Sequence, residues 1–398
     1  MSYSFDTSAN REDTNAEKYK LREKLFGSED VEPVWVADMD IDTPDFVIDA
    51  IKKRLEHPVF GYEEMPDSAF EAQIDWLYRH HGIKYEVGDM LYSHSVVASM
   101  RVAIEAFSEA GDNIIVQTPV YPPFFKSVTE LDRKVLVNPL KQKEDGVYTF
   151  DLEDLESQID EKTKMLLLCS PHNPVGRVWK KEELESLLEL CLKHNIVVFS
   201  DEIHSDLVYT PNKHIPFASI SDKARDITIS TFGVGKTFNM AGFAISTVLI
   251  TNENLREQFA KAHSKVHFAE GSSLSHEAFE AAYKNGDMWL SDLKEHLYRN
   301  YTLLKELCDR YPELIKIIPI EATYLAWLDC RGMGLRDRHL RDFFVKEAKL
   351  GLNAGISFGK AGSGFMRLNF ALDSDKMSKI IRQLESALKN RKNNGSKY

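Results

Sequence analysis

The chain has 398 residues, 43% of them hydrophobic and 28% charged, which is the composition of a globular protein long enough for two domains. Its net charge of −12 disfavours nucleic acid as the main partner, because a phosphate backbone requires clustered Lys and Arg. No apolar run approaches the ~18–20 residues that cross a bilayer, so no membrane partner is predicted.

The N-terminus and the cysteines predict a cytoplasmic protein. Residues 1–6 lack a basic region followed by an apolar core, so we expect no signal peptide. The four cysteines are widely spread, without a Cys-x-x-Cys pair: Cys169, Cys191, Cys308 and Cys330. This spacing fits neither a disulfide framework nor a metal site, and we expect buried, reduced thiols and no bound metal.

Changes in polarity and in the pattern of predicted helices and strands divide the chain into three predicted segments. They are an N-terminal arm with part of the small domain at 1–44, a large domain at 45–285 and a small C-terminal domain at 286–398. In the first segment, residues 33–40 predict a short apolar strand that runs into two acids. Thr43 and Pro44 then predict the N-cap and the first residue of a helix.

Helices and strands alternate regularly after residue 68. Apolar strands are predicted within 90–97 and at 113–117, 165–169, 196–200, 227–230 and 247–250. Because these strands lack polar alternation and are separated by helices, they predict an α/β fold whose mostly parallel sheet is covered on both faces. Beyond residue 285, longer charged helices with a few strands predict a smaller α+β domain.

A lysine that follows an apolar strand and two glycines is the centre of the predicted site. Lys236 follows Gly233 and Gly235 after the strand at 227–230. Glycines permit the close approach of a ligand, and open α/β sheets bind ligands at the carboxyl ends of their strands. A lysine in such a crevice loses solvation, so its pKa falls and its amine can form a Schiff base with a carbonyl substrate or pyridoxal phosphate (PLP).

A P-loop is the alternative for this segment, because Gly235-Lys236-Thr237 matches the end of G-x-x-x-x-G-K-[ST]. The pattern requires a glycine five residues before Gly235, where Ser230 stands. The strand that ends in Asp201 also precedes this segment, whereas P-loop proteins normally place their magnesium-binding strand after it. PLP is therefore the favoured ligand.

Polar side chains follow three of the predicted strands: Asn173, Asp201 and Lys236. These residue types match what PLP requires, because an aspartate can keep the ring nitrogen protonated and an asparagine can hydrogen-bond the 3-oxygen. Tyr121 is a candidate to stack on the ring. Arg367, on an otherwise apolar strand, is a candidate bidentate partner for a substrate carboxylate.

The order of these motifs resembles that of fold-type I PLP enzymes: Asn-Pro-x-Gly, a strand ending in Asp-Glu, then Lys-Thr-Phe-Asn-x-Ala-Gly. The resemblance narrows to C–S β-lyases of the MalY/PatB type, which include bacterial cystathionine β-lyases and cystalysin-like enzymes. It covers nearly the whole chain and implies the fold-type I PLP-dependent transferase fold. The segments that carry it are 35–40, 60–62, 118–121, 170–179, 200–204 and 367–369.

The resemblance also implies roles for further residues. Those it adds to the cofactor and substrate sites are Val96, Val97, His204, Ala37 and Tyr62. Val96 and Val97 would offer backbone N–H groups to the phosphate, at a helix N-terminus that suits an anion. Tyr62 would reach the phosphate of the neighbouring subunit's cofactor, which implies a homodimer with shared active sites. Arg367 would bind the substrate's α-carboxylate.

Three positions differ from the family's usual pattern, all of them in the phosphate-binding region. Ser95 stands where the family usually has glycine, and Gly235 stands where a serine precedes the lysine. Gly233 lacks the hydroxyl that many fold-type I enzymes carry at that position. We therefore expect Tyr62 to contribute more of the phosphate binding than is usual.

The implied function is a PLP-dependent C–S β-lyase that converts cystathionine or a cysteine-type substrate to a thiol, pyruvate and ammonia. Lys236 would remove the α-proton as general base, with Asp201 and Tyr121 as the other catalytic residues. An aminotransferase on the same fold is an alternative, because both reactions share their first half. A cofactor-bound regulatory protein that acts by binding a partner is the other alternative.

Overall fold

The computed structural model describes residues 3–267 and 271–394. The α-helices are α1 Glu17–Lys20, α2 Arg22–Phe26, α3 Asp45–Leu55, α4 Asp67–His81, α5 Val96–Phe107, α6 Pro123–Thr129, α7 Leu152–Gln158, α8 Lys181–Lys193, α9 Asp222–Ile227, α10 Val234–Thr237, α11 Glu253–Ser264, α12 Ser273–Asn285, α13 Asp287–Asp309, α14 Asp337–Asp342 and α15 Ser374–Asn394. A π-helix, Phe343–Glu347, continues α14.

The β-strands are β1 Glu32–Pro33, β2 Met90–Ser93, β3 Asn113–Thr118, β4 Lys134–Pro139, β5 Lys141–Gln142, β6 Tyr148–Thr149, β7 Thr163–Cys169, β8 Val197–Asp201, β9 Thr228–Phe232, β10 Ser246–Leu249, β11 Lys316–Ile317, β12 Leu325–Asp329, β13 Leu350–Gly351, β14 Asn353–Ala354 and β15 Phe365–Asn369. Short 3-10 helices lie between them at Val87–Asp89, Phe217–Ser219, Ala241–Phe243, Arg331–Met333, Gly355–Phe358 and Lys360–Gly362.

A seven-stranded sheet in the order β2-β10-β9-β8-β7-β3-β4 forms the large core. β10 runs antiparallel to both of its neighbours, and the other pairs are parallel. Successive residues of a strand point to opposite faces. Accordingly, Leu166 and Leu168 pack into one apolar cluster, whereas Met165 and Leu167 pack into another. The predicted mostly parallel sheet, buried on both faces, is confirmed.

A second, antiparallel sheet in the order β11-β12-β15-β14 lies in the C-terminal part of the chain. Long helices share its core: Leu297 of α13, Leu368 of β15 and Leu384 of α15 belong to one apolar cluster. The expected combination of a large parallel sheet with a smaller α+β unit is therefore present. Domain boundaries at residues 44 and 285 stay a prediction.

Two expectations near the N-terminus are wrong. Of the predicted strand at 33–40, only Pro33 lies in a β-strand, the short β1 that pairs with β13, and Asp40 forms an isolated bridge with Leu372. The carbonyl groups of residues 35–37 instead accept hydrogen bonds from the side chains of Arg367, Asn369 and Lys236. The helix after them begins at Asp45 with Pro44 as the N-cap residue, so Thr43 is not the cap.

The N-terminal arm is more firmly packed than its polar sequence predicts. Lys18 is fully buried, and its Nζ lies 3.3 Å from Asp38 Oδ1 and 3.2 Å from Asp40 Oδ2. Arg11 binds the same two carboxylates, and the Tyr19 hydroxyl donates to Asp40. Asp38 and Asp40 therefore anchor the N-terminal arm to the rest of the protein.

The cysteines are all buried and unpaired, as expected. Over the residues that the structure describes, no helix combines the length and apolar character needed to cross a membrane. The same residues include no cluster of three or more His, Cys, Asp or Glu side chains arranged to hold a metal ion.

Candidate active site

The carboxyl ends of β7, β8 and β9 open into one cavity of about 360 Å³. The predicted site residues that line it are Ala37, Val96, Val97, Tyr121, Asn173, Asp201, His204, Lys236 and Arg367. Parallel strands place their carboxyl ends at one sheet edge, which brings together side chains far apart in the sequence. Tyr62 does not line this cavity, and its side chain is fully exposed.

Lys236 lies on the four-residue helix α10, just after β9. Its Nζ donates a hydrogen bond of 2.6 Å to the carbonyl oxygen of Ala37. Burial lowers the pKa of Lys236 from 10.5 to about 8, and the charge of Arg367 adds to this shift against the opposing charges of Asp38 and Asp201. A lysine with this pKa has a substantial neutral, nucleophilic fraction near neutral pH.

Asp201 ends β8 and accepts a hydrogen bond of 3.2 Å from the backbone N–H of Ile203. Burial raises the pKa of Asp201 to about 7, although the charge of Lys236 opposes this shift. A cationic partner at the carboxylate would favour its ionised form. The site therefore suits a ligand with a protonated ring nitrogen.

Arg367 is buried on β15 and is held from several sides. Nη1 donates to Asn173 Oδ1 at 3.0 Å, and Nη2 donates to the Trp35 carbonyl at 2.8 Å and Asn353 Oδ1 at 2.7 Å. Within the described residues, its buried Nε–H has no acceptor. Burial lowers the pKa of Arg367 to about 10, so the guanidinium stays charged at neutral pH and can bind a carboxylate.

The N-terminus of α5 forms one end of the cavity. Ser95 is its N-cap residue, and the Ser95 hydroxyl accepts a hydrogen bond from the Ala98 N–H at 3.2 Å. In the described part of the chain, no acceptor contacts the N–H groups of Val96 and Val97. Free N–H groups at the positive end of a helix dipole favour a phosphate group.

His204 and Tyr121 complete the predicted set. Burial lowers the pKa of His204 to about 3, so its ring is neutral, and its buried Nδ1 has no partner among residues 3–267 and 271–394. Tyr121 is 36% exposed at the cavity and is therefore accessible to a ligand. Desolvation raises the pKa of the Tyr121 hydroxyl, against the charge of Arg367.

The comparisons with known proteins agree with this geometry. Residues 36–384 match the family model described as aminotransferase class I and II. The chain belongs to this family. The cystathionine beta-lyase PatB of Bacillus subtilis (strain 168) is 37% identical over 385 residues, which cover 96% of this chain and 99% of that protein.

Two further relatives support the narrower resemblance to C–S β-lyases, which is confirmed. Protein MalY of Escherichia coli (strain K12) is 33% identical and covers 92% of this chain and 93% of its own. The crystal structure of cystalysin from Treponema denticola, which contains a pyridoxal 5'-phosphate cofactor, is 33% identical with a TM-score of 0.94. It covers 98% of this chain and 100% of that one.

The residues of this class I and II aminotransferase family member fit PLP. An amine with a lowered pKa and a buried carboxylate line the same cavity, as the cofactor's aldehyde and ring nitrogen require. The unpartnered His204 Nδ1 and the free N–H groups of α5 are further polar atoms for it to satisfy. Membership of this family, with a PLP-containing relative such as cystalysin, favours PLP over the P-loop alternative.

Sequence reasoning missed two residues that shape the cavity. The Tyr324 hydroxyl donates at 2.8 Å to the Ala37 carbonyl that Lys236 also contacts, and Asn353 holds Arg367. Neither belongs to a motif. Thr323, next to Tyr324, has a positive φ of 72°, an uncommon conformation for this residue type that the sequence does not reveal.

Proposed function

We propose that the protein is a PLP-dependent C–S β-lyase that cleaves cystathionine or a cysteine-type substrate to a thiol, pyruvate and ammonia. The observation that carries the proposal is a cavity with a low-pKa lysine and a buried arginine, in a chain 37% identical to a cystathionine beta-lyase. In this cavity Lys236 would hold the cofactor that reacts with the amine of an amino acid, and Arg367 would bind the carboxylate of the same amino acid.

PLP, when bound, withdraws electrons from the α-carbon of an amino acid, so that the α-proton can be removed and a β-substituent expelled. Lys236 would hold the cofactor through its amine, and Asp201 would hold a proton at the ring nitrogen. Val96 and Val97 would bind the phosphate, while Asn173, His204 and Tyr121 would contact the ring.

The same residues would handle the substrate. Arg367 would fix the α-carboxylate with its Nε–H and a terminal N–H, the two parallel donors that a carboxylate accepts. The Lys236 amine, once released, would take the α-proton as general base. Ala37 would line the substrate side of the cavity. A substrate with a thiolate leaving group on its β-carbon would favour C–S cleavage, whereas a substrate without one would leave the aminotransferase reaction as the alternative.

Incubation of the PLP-loaded protein with cystathionine tests the proposal. We expect equal amounts of thiol and pyruvate, no turnover by Lys236→Ala, and unchanged turnover by Lys261→Ala, which alters an exposed lysine. Accumulation of pyridoxamine phosphate without thiol would instead identify an aminotransferase. Binding of PLP without either product would favour the regulatory alternative.

We further propose that the protein is a cytoplasmic homodimer whose active sites are shared. The exposed Tyr62 supports a shared site, because a side chain that does not line its own cavity is available to a second subunit. The four reduced, buried cysteines support a reducing compartment.

A further inference from the structure

A buried carboxylate lies directly behind the helix that carries Lys236. The hydroxyl of Thr237, the residue after Lys236, donates to Asp206 Oδ2 at 2.7 Å. The other oxygen, Oδ1, accepts from Trp76 Nε1 and lies within hydrogen-bond distance of His81 Nε2, both at 2.9 Å. Thr237, Asp206 and Trp76 are almost completely buried.

A second acid–histidine pair lies beside this one and adjoins Asp201. Glu202, the next residue in the chain, is fully buried, and its Oε2 lies 2.7 Å from His214 Nε2. The rings of His214 and His81 meet edge to face, with centroids 5.3 Å apart and an angle of 89° between them. One buried polar network therefore contacts the chain neighbours of both Lys236 and Asp201.

Asp206 is ionised in this network. Burial alone would raise the pKa of Asp206, but the hydrogen bonds from His81, Trp76 and Thr237 outweigh burial and lower it to about 2. A buried carboxylate that loses one of its donors is strongly penalised. The position of Thr237 relative to Asp206 is therefore tightly fixed.

Helix α10 requires such an anchor. It has only four residues, one of them Gly235, and its N-cap residue is Gly233, which makes no side-chain cap. Helices this short are not stable by themselves, and glycine adds conformational freedom to the segment. The Thr237–Asp206 bond is the side-chain contact that fixes the last residue of this helix, one position beyond the reactive amine.

We propose that Asp206 is the positioning residue for Lys236, acting through Thr237, with His81 and Trp76 holding the carboxylate. The inference rests on the proposed role of Lys236 as the amine that binds PLP. The rate at which the Lys236 amine captures PLP then depends on the charge of Asp206, which contacts neither the cofactor nor the substrate.

The test compares Thr237→Val, which keeps the shape but removes the hydroxyl, with Thr237→Ser, which keeps the hydroxyl. Apoprotein is mixed with PLP, and borohydride-trapped adduct on Lys236 is followed by mass spectrometry over time. We expect capture to slow by about tenfold or more in Thr237→Val and in Asp206→Asn, as for loss of a charge-assisted hydrogen bond. Thr237→Ser should remain within about twofold of the wild type.

Thr228→Val is the matched control. Thr228 is also a buried threonine, and its hydroxyl donates to the Ala224 carbonyl at 2.5 Å, at the start of β9. This variant should lower the melting temperature without slowing capture. If Thr237→Val and Asp206→Asn lose stability but capture PLP at the wild-type rate, the positioning role is overturned.

Should Thr237→Val fail to fold, Asp206→Asn against Thr228→Val decides the question by the same criterion. The result is separate from the proposed lyase activity. Wild-type protein that traps PLP on Lys236 but releases no thiol from cystathionine would contradict the lyase and leave the capture comparison valid. PLP trapped on a different lysine would overturn both.

Discussion

The Lys236 amine and the Ala37 carbonyl oxygen are joined by a hydrogen bond of 2.6 Å across 199 positions of sequence. The Tyr324 hydroxyl donates to the same oxygen at 2.8 Å. An amine that is covalently bound to a cofactor has fewer N–H groups to donate. With PLP bound, Tyr324 would therefore be the main partner of this carbonyl.

Tyr324→Phe should for this reason destabilise the PLP-bound protein more than the apoprotein. We expect the rise in melting temperature on addition of PLP to shrink by the equivalent of about 1–3 kcal/mol, the cost of an unsatisfied buried acceptor. Tyr209→Phe is the matched control, because Tyr209 is buried and donates to the Thr323 carbonyl at 2.7 Å. It should lower both melting temperatures equally. The same behaviour in Tyr324→Phe would contradict the prediction.

The lowered pKa of Lys236 predicts how capture of an aldehyde depends on pH. Only the neutral amine reacts, and burial moves its pKa from 10.5 to about 8. The rate at which apoprotein captures pyridoxal, which lacks the phosphate, should rise about tenfold per pH unit below 8 and level off above it. Borohydride trapping on Lys236 gives the rate. A rate that continues to rise up to pH 10 would show an ordinary lysine.

The two glycines near Lys236 should respond differently to serine. A Cβ at Gly233 would lie 3.1 Å from Ser246 Cβ and 3.2 Å from Ile203 Cδ1, whereas at Gly235 the closest atom is Ala241 Cα at 3.4 Å. Gly233→Ser should therefore cost about 1–3 kcal/mol of stability through overpacking. Gly235→Ser should fold normally and retain PLP about five- to thirty-fold more tightly, if its hydroxyl reaches the phosphate.

Melting temperatures and the dissociation constant for PLP check both expectations. Ser246 lines the cavity next to Gly233 and fills the space that a side chain there would need. This contact explains the absence of a side chain at Gly233, which the sequence left unexplained. A normally stable Gly233→Ser variant would contradict the explanation.

The parallel sheet and the grouping of the candidate site residues at one cavity were predictable because they depend on local patterns. Continuous apolar runs mark buried strands, and polar residues just beyond them, such as Asp201 and Lys236, meet at one sheet edge. Family resemblance supplied the roles of Val96, Val97 and His204, and the position of the two valines at a predicted helix N-terminus independently suited an anion. All of these residues line the cavity.

Contacts between distant segments were not predictable. The apolar run after Pro33 has the composition of a strand, but the carbonyl groups of residues 35–37 accept hydrogen bonds from the side chains of Arg367, Asn369 and Lys236. The polar sequence around Lys18 predicts an exposed arm, yet Asp38 and Asp40 pair with this lysine in the interior. Tyr324 and Asp206 acquire their roles only through tertiary packing.

Arg367→Lys should weaken substrate binding although it keeps the charge. Lysine cannot reproduce the planar fork or the bonds to Asn173 and Asn353. We expect kcat/KM to fall by about tenfold to a hundredfold, with the PLP content unchanged. Arg331→Lys is the control, because this arginine also forks onto a carboxylate, that of Asp329, but on the surface. Equal effects of the two substitutions would remove Arg367 from the substrate site.

The shared-site proposal predicts that two defective variants complement each other. Tyr62→Phe should weaken PLP retention by about 1–2 kcal/mol, or roughly five- to thirty-fold, without affecting the fold of its own chain. Lys236→Ala should be inactive. In a mixed dimer with shared sites, one site carries both lesions and the other carries neither.

Random exchange of the two variants should restore about a quarter of the wild-type sites, so activity at limiting PLP should rise above that of the unmixed components. Tyr78→Phe, which alters another exposed tyrosine, is the control and should show no gain when exchanged with Lys236→Ala. Exchange itself is followed by native mass spectrometry. If mixed dimers form but activity stays at the level retained by Tyr62→Phe, each site is built from a single chain. Tyr62 then has no role in its neighbour's site.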